Sequence, residues 1–237
     1  MGSNNLNQAV ILAGGLGTRL KPITDKIPKP MVKIGKYPII QHIISLYLKY
    51  GYNDFLIAGG YKYKYIQNHF KKIKIKNANI EVINTGLNSL TATRLLKLKK
   101  YLSKSTFMLT YGDGLSDINL KKLLDFHLEN KKLLTLTAVH PPTRFGELKL
   151  IKNTVKSFKE KPQLNEGWIN GGFFVVDPGF FNFISMKNQM LEREPIQKAT
   201  KEKKVAAFKH EGFWQCMDTL RDKLLLNKIW NSGKKKW

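Results

Sequence analysis

Cysteine is almost missing from this 237-residue sequence, where Cys216 stands alone. A single thiol can form neither an internal disulfide nor a cysteine-based zinc site. The fold must therefore rest on packing in a reducing compartment, taken here as the cytoplasm. Long apolar runs are missing as well: stretches such as Leu133 to Val139 fall far short of the ~20 residues that cross a bilayer. The opening Met1 to Asn7 is polar, where a secretory signal carries an apolar core, so neither membrane insertion nor secretion is expected. Acidic residues are scarce, 17 against 41 Lys and Arg, for a formal net charge of +24. Such a field attracts anions. Yet only five of the 41 are arginine, namely Arg19, Arg94, Arg144, Arg193 and Arg221. Arginine forks are preferred for reading base edges and gripping phosphates, so a solvated lysine surface is the first reading and an anionic partner the second, one that small phosphorylated substrates would satisfy as well as a nucleic acid.

What is present is the composition of a globular domain, with 42% apolar and 24% charged residues. The length fits one large domain, or one with a small appendage. Ala9 to Leu12 is a short apolar run ending in a glycine turn, which reads as a buried strand entering a loop. A helix follows over Ile39 to Tyr50, where Ile40, Ile43, Ile44, Tyr47 and Leu48 recur at helical spacing and Gly51 stands at the C-cap position. The alternation continues with a strand at Asp54 to Ala58, a helix at Tyr61 to Phe70 and a strand at Ile80 to Ile83. A helix at Thr91 to Tyr101, a strand at Thr106 to Tyr111, a helix at Asn119 to Glu129 and a strand at Leu133 to Val139 complete this half. Strands alternating with helices predict a largely parallel sheet covered on both faces. After Pro141-Pro142 the rhythm changes to short strands at Leu148 to Ile151, Val155 to Phe158 and Gly172 to Val176, and a last helix over Thr219 to Trp230. The expectation is one α/β domain, with residues 8–139 as one half and 140–237 as a smaller, antiparallel or mixed β-rich half.

Three features carry chemistry. Gly14, Gly15 and Gly17 follow the first strand, with Arg19 beyond; a turn without side chains lets backbone N–H groups approach phosphate. The third glycine of the dinucleotide fingerprint and the Gly-Lys-Ser/Thr of the Walker loop are both absent. Pro28 and Pro30 stiffen the chain around Lys29, which suits either an aimed cation or an ordinary surface lysine on a rigid loop. Asp113, between Gly112 and Gly114 at the end of an apolar strand, stands where open α/β sheets bind ligands; it is a metal ligand or a turn residue. Asp218 is the best second carboxylate, its alternative role being N-cap of the last helix. Two such carboxylates would suit Mg²⁺ against phosphate oxygens. The five histidines show no metal-ligand spacing, and Cys216 has no evident base partner.

Ala9 to Arg19 (AVILAGGLGTR) with Pro28 to Met31 (PKPM) resembles the signature of the sugar-1-phosphate nucleotidyltransferases. Within that superfamily Thr110 to Ile118, Pro141 to Leu148, Ser157 to Pro162, Ile169 to Val175 and Gly212 to Asp222 resemble the glucose-1-phosphate cytidylyltransferases, over nearly the whole chain. The resemblance implies a Rossmann-like mixed, mostly parallel sheet flanked by helices, with a smaller β-rich sugar-binding portion. It implies CTP and glucose 1-phosphate as substrates, Mg²⁺ as cofactor and a homo-oligomer, with neither nucleic acid nor membrane as partner. Arg19, Lys29 and Asp113 would be catalytic, and Asp113 and Asp218 would bind the metal. Leu12, Ala13, Gly14, Gly15, Gly17, Thr18, Ser89, Thr91, Arg94 and Gly112 would surround the nucleotide, Arg94 or nearby backbone reading cytosine. Tyr111, Glu160, Lys161, Asn170, Gly171, Gly172 and Trp214 would meet the sugar phosphate, Lys161 gripping its phosphate. Two departures stand out. Ala92 and Thr93 replace two glycines usual before the arginine, and only about ten lysine-rich residues separate Phe70 from Ile80, where relatives carry a longer excursion. A nucleotidyltransferase of the same superfamily using another NTP or another hexose 1-phosphate, a nucleic-acid binder and a non-catalytic nucleotide-binding relative are the competing readings.

Overall fold

The computed structural model describes residues 7–141, 147–159 and 167–237. Its elements follow the chain as β1 (Gln8–Ala13), α1 (Ile23–Lys26), β2 (Lys33–Ile34), β3 (Tyr37–Pro38), α2 (Ile39–Lys49), β4 (Asp54–Gly59), α3 (Tyr63–Lys72) and β5 (Asn79–Asn84). Then come α4 (Thr91–Leu98), β6 (Phe107–Tyr111), β7 (Gly114–Ser116), α5 (Leu120–Asn130), β8 (Leu134–Val139) and the hairpin β9 (Glu147–Ile151) with β10 (Thr154–Lys159). The chain closes with β11 (Ile169–Val176), α6 (Glu194–Lys201), β12 (Val205–His210), β13 (Trp214–Cys216) and α7 (Leu220–Asn231).

Seven strands form one sheet in the order β12-β8-β11-β6-β1-β4-β5. Six run parallel, and β11 alone is reversed, antiparallel to both β6 and β8. The second half of the sequence therefore does not stand apart. Its strand β11 lies inside the sheet, its strand β12 forms one edge, the hairpin β9–β10 pairs separately, and β13 pairs outside the main sheet with β7 of the first half.

Side-chain alternation on the strands builds two cores. Along β1, Ala9, Ile11 and Ala13 face one layer with Ile40, Ile43, Ile44 and Tyr47 of α2, while Val10 and Leu12 face the other with Leu95 and Leu98 of α4. Phe173 joins the first core, and Phe174, Phe180 and Phe181 the second. Each such side chain contributes about 1.5–3 kcal/mol when fully buried. The parallel strands β1, β4 and β6 end at one edge of the sheet, and the reversed strand β11 begins there, because Ile169 pairs with Val139 and Asn170 with Ala138. That edge is where residues from distant parts of the chain meet.

Candidate active site

The loop after β1 shows why glycine is needed at two positions. Gly17 has φ +67°, a left-handed conformation that side chains disfavour, and its carbonyl accepts the Thr24 hydroxyl at 2.9 Å. At Gly14 the space a Cβ would fill is taken by the guanidinium of Arg94, 2.2 Å from the ideal Cβ position. Arg94 is only 4% exposed. It donates to the carbonyls of Gly14 (2.9 Å), Gly59 (3.3 Å), Gly86 (2.7 Å) and Leu87 (3.1 Å), and to the Thr85 hydroxyl (2.7 Å). Burial lowers its pKa. Offered from the resemblance, with nearby backbone as the alternative, as the reader of the base, this side chain lies beneath the glycine loop, clamping it to the end of β4 and the turn after β5. Ala92 is fully buried, and the Thr93 hydroxyl accepts the Gln189 backbone N–H at 3.0 Å. Neither residue lines the cleft.

The charged residues meet through the small ladder of β7 and β13. Cys216 pairs with Gly114, and the Met217 N–H donates to the Asp113 carbonyl at 2.9 Å, so the residues just before β7 and just after β13 become neighbours. Lys29, on a short turn between Pro28 and Pro30, places its ammonium between the two carboxylates. It donates to Asp218 Oδ1 at 2.6 Å and to Asp113 Oδ2. Arg19 Nη1 reaches Asp218 Oδ2 at 2.8 Å from an exposed position. Asp218 is not the cap of α7. Thr219 takes that role in a capping box with Asp222, leaving the Asp218 carboxylate for the cations.

Electrostatics follow from these contacts. Burial opposes the charge on Lys29, but Asp113 and Asp218 outweigh it and hold the ammonium above its ordinary value. For Asp218, burial would raise the pKa, and Lys29 and Arg19 prevail to depress it. Burial, helped by Asp218 and Asp113, pushes the Cys216 thiol up to about 12. It is therefore a neutral donor, 3.6 Å from Asp218 Oδ2, rather than a thiolate nucleophile.

Among the residues that the resemblance assigns to the sugar phosphate, Trp214 Nε1 donates to the Gly171 carbonyl at 2.7 Å and the Gly172 N–H to Asn170 Oδ1 at 2.9 Å. Gly172 has φ +77° and lies against the Tyr111 ring. The pairing of β11 with β8 is irregular between Asn170 and Phe174, so the two glycines shape a bulge that seats Tyr111 and Trp214. They do not line the cleft, whereas their sequence reading had their backbone meeting sugar hydroxyls.

The cleft has a volume of about 710 Å³. Leu12, Ala13, Gly14, Gly15, Gly17, Thr18, Arg19 and Lys29 line it, with Ser89, Thr91, Arg94, Tyr111, Gly112, Asp113, Asn170, Trp214 and Asp218. Glu160 and Lys161 lie outside the described residues. Pro30, Met190, Gln215 and Cys216 also line it, none of them assigned to a ligand from the sequence. Glu192, likewise unexpected, accepts hydrogen bonds from Tyr111 and Thr91. Gln215 and Cys216 were legible as neighbours of Asp218, but nothing local marks Met190 or Glu192.

Among the described residues no three His, Cys, Asp or Glu side chains cluster as a complete metal site. Two carboxylates converging on one point do fit a hard cation that takes its remaining ligands from water and phosphate.

A sequence model of the family described as nucleotidyl transferase matches residues 8–224. The glucose-1-phosphate cytidylyltransferase of Salmonella typhimurium is 40% identical over 252 residues, covering 97% of this chain and 98% of that protein. The probable glucose-1-phosphate cytidylyltransferase of Bacillus subtilis is 37% identical over 251 residues, with the same coverage. Among solved structures, HddC from Yersinia pseudotuberculosis matches with a TM-score of 0.73 at 25% identity, covering 94% of this chain and 99% of that one.

Proposed function

The chain belongs to the glucose-1-phosphate cytidylyltransferases of the nucleotidyl transferase family, and from that premise we propose that it transfers the cytidylyl group of CTP to α-D-glucose 1-phosphate, giving CDP-glucose and pyrophosphate. The observation that carries this reading is the meeting of Arg19, Lys29, Asp113 and Asp218 at a cleft floored by the glycine loop.

An oxygen of the sugar phosphate attacks the α-phosphorus of CTP in line while the bond from that phosphorus to the bridging oxygen of pyrophosphate breaks. One P–O bond forms as one is lost, and no residue of the chain is modified. The attacking phosphate is already ionised near neutral pH, so the protein supplies position and counter-charge rather than a general base. Backbone N–H groups of the Gly14-Gly15 turn face the triphosphate. Lys29, kept protonated by its carboxylate neighbours, and Arg19 offset the charge that grows on the departing pyrophosphate. Mg²⁺, which Asp113 and Asp218 would hold, supplies further neutralisation of phosphate oxygens when bound. Ser89 and Thr91 wall the nucleotide side, and Tyr111, Asn170 and Trp214 the sugar side. Lys161 and Glu160 are assigned to the sugar phosphate and to a sugar hydroxyl.

The experiment is pyrophosphate release from CTP, UTP, dTTP, ATP and GTP, each with glucose 1-phosphate and Mg²⁺. Strong preference for CTP is expected. Preference for another nucleotide overturns the base assignment, and silence with all five overturns the acceptor.

A further inference from the structure

Glu192 sits in a half-buried position beside a cleft meant for anions, where a carboxylate repels the ligands. Its two oxygens are each engaged. Oε1 accepts the Tyr111 hydroxyl, and Oε2 accepts the Thr91 hydroxyl at 2.9 Å. Those hydroxyls belong to opposite walls. Thr91 opens α4, the helix whose Arg94 props the glycine loop, and Tyr111 ends β6, two residues before Asp113 and against the bulge at Gly172. Both line the cleft.

The segment carrying Glu192 is itself fixed to the start of α4. The Leu191 N–H donates to Thr91 Oγ1 at 2.7 Å, and the Ala92 N–H to the Gln189 carbonyl at 3.2 Å. Asn188 Oδ1 accepts the Leu90 N–H at 2.8 Å, and the Leu191 side chain is fully buried. The carboxylate of Glu192 makes the bonds from Tyr111 and Thr91 stronger than a neutral acceptor would. Burial, and then the charge of Glu192, keep the Tyr111 phenol protonated and therefore donating.

We propose that Glu192 is a positioning residue that ties the nucleotide wall to the sugar wall through Thr91 and Tyr111, setting the distance between the two bound substrates. This rests on the two-substrate reading above. Its mark is that one substitution, at a side chain placed outside the cleft lining, weakens both substrates at once.

The test compares wild type with Glu192→Gln, which keeps the shape but removes the charge and one acceptor oxygen, alongside Tyr111→Phe and Thr91→Val. Steady-state kinetics and thermal-shift titrations with CTP and with glucose 1-phosphate are read on each. Glu192→Gln is expected to raise KM for both substrates by about tenfold, while the melting temperature stays within a few degrees, since a misplacement of even about 1 Å from a mutation away from the chemistry can cost as much as about a hundredfold. Tyr111→Phe should act mainly on glucose 1-phosphate and Thr91→Val mainly on CTP. Adding Glu192→Gln to both should cost little more, since groups in one network are not additive. An effect on one substrate alone, on neither, or one that scales only with lost folded protein overturns the proposal. If the wild type uses a different nucleotide, the base assignment falls by itself, and the same comparison with that nucleotide decides the role of Glu192.

Discussion

A carboxylate whose pKa is held down by neighbouring cations contributes stability only while it is ionised. Asp218 is such a group, depressed below its ordinary 3.8 by Lys29 and Arg19 against the opposing effect of burial. Its contribution is complete above that ordinary value and is lost as pH falls through the lower folded value. Lys29 has the opposite sign: raised above 10.5, it contributes fully below that value and loses its contribution as pH climbs through the folded one. Urea unfolding of wild type and Asp218→Asn should therefore differ by a constant amount at intermediate pH, converging only below pH 3.8. Arg94 gives a second prediction. Lysine has one ammonium where arginine has a fork, so Arg94→Lys strands several of the five acceptors now satisfied. The expected cost is about 2–4 kcal/mol in urea unfolding, with a raised KM for CTP as the Gly14 turn loosens. The residue was legible as part of the site, but its direction was not, because its partners lie up to 80 residues away. For the same reason Glu192 left no local signature: its partners are 81 and 101 residues distant.

At the scale of elements, strong periodicity made most of the alternation readable, and the helix over Ile39–Lys49 matches its apolar spacing closely. Apart from the short α1, β2, β3, β7 and β13, two elements escaped. In α6, Pro195 looks like a breaker, yet it occupies the first helical turn, where the missing N–H costs nothing. Strand β12 reads VAAFKH with a half-exposed pattern, since it lies at the sheet edge and lacks the continuous apolar run of a central parallel strand. The antiparallel or mixed character expected after Pro141-Pro142 is met by β11, but its place inside the main sheet was not legible, because pairing depends on partners rather than on composition. The cap of α7 has a functional side. Asp222 Oδ2 accepts the N–H groups of Thr219 at 2.8 Å and of Asp218 at 3.0 Å, so the capping box also holds the backbone of Asp218, one of the two carboxylates proposed to hold the metal. Thr219→Ala should cost about 1 kcal/mol of stability in urea melts, together with a measurable loss of kcat that a remote cap would not produce.

For the molecule as a whole, the +24 charge acts at long range on anionic substrates. Screening shortens that range from about 10 Å at 0.1 M salt to about 3 Å at 1 M. Raising NaCl across this interval should increase KM for CTP severalfold and leave kcat nearly flat; an unchanged KM would show that the lysines are spread too evenly to steer. Against this positive body the cluster at the cleft is balanced, with Arg19 and Lys29 facing Asp113 and Asp218. A free divalent ion thus approaches a cationic molecule and, among the described residues of that cluster, finds no excess of negative charge to hold it, whereas CTP carries its own. The order of events follows from that neutrality: the ion should enter as a passenger of the nucleotide, so that initial rates track the concentration of the metal–CTP complex, and preincubation with the ion alone gives no head start.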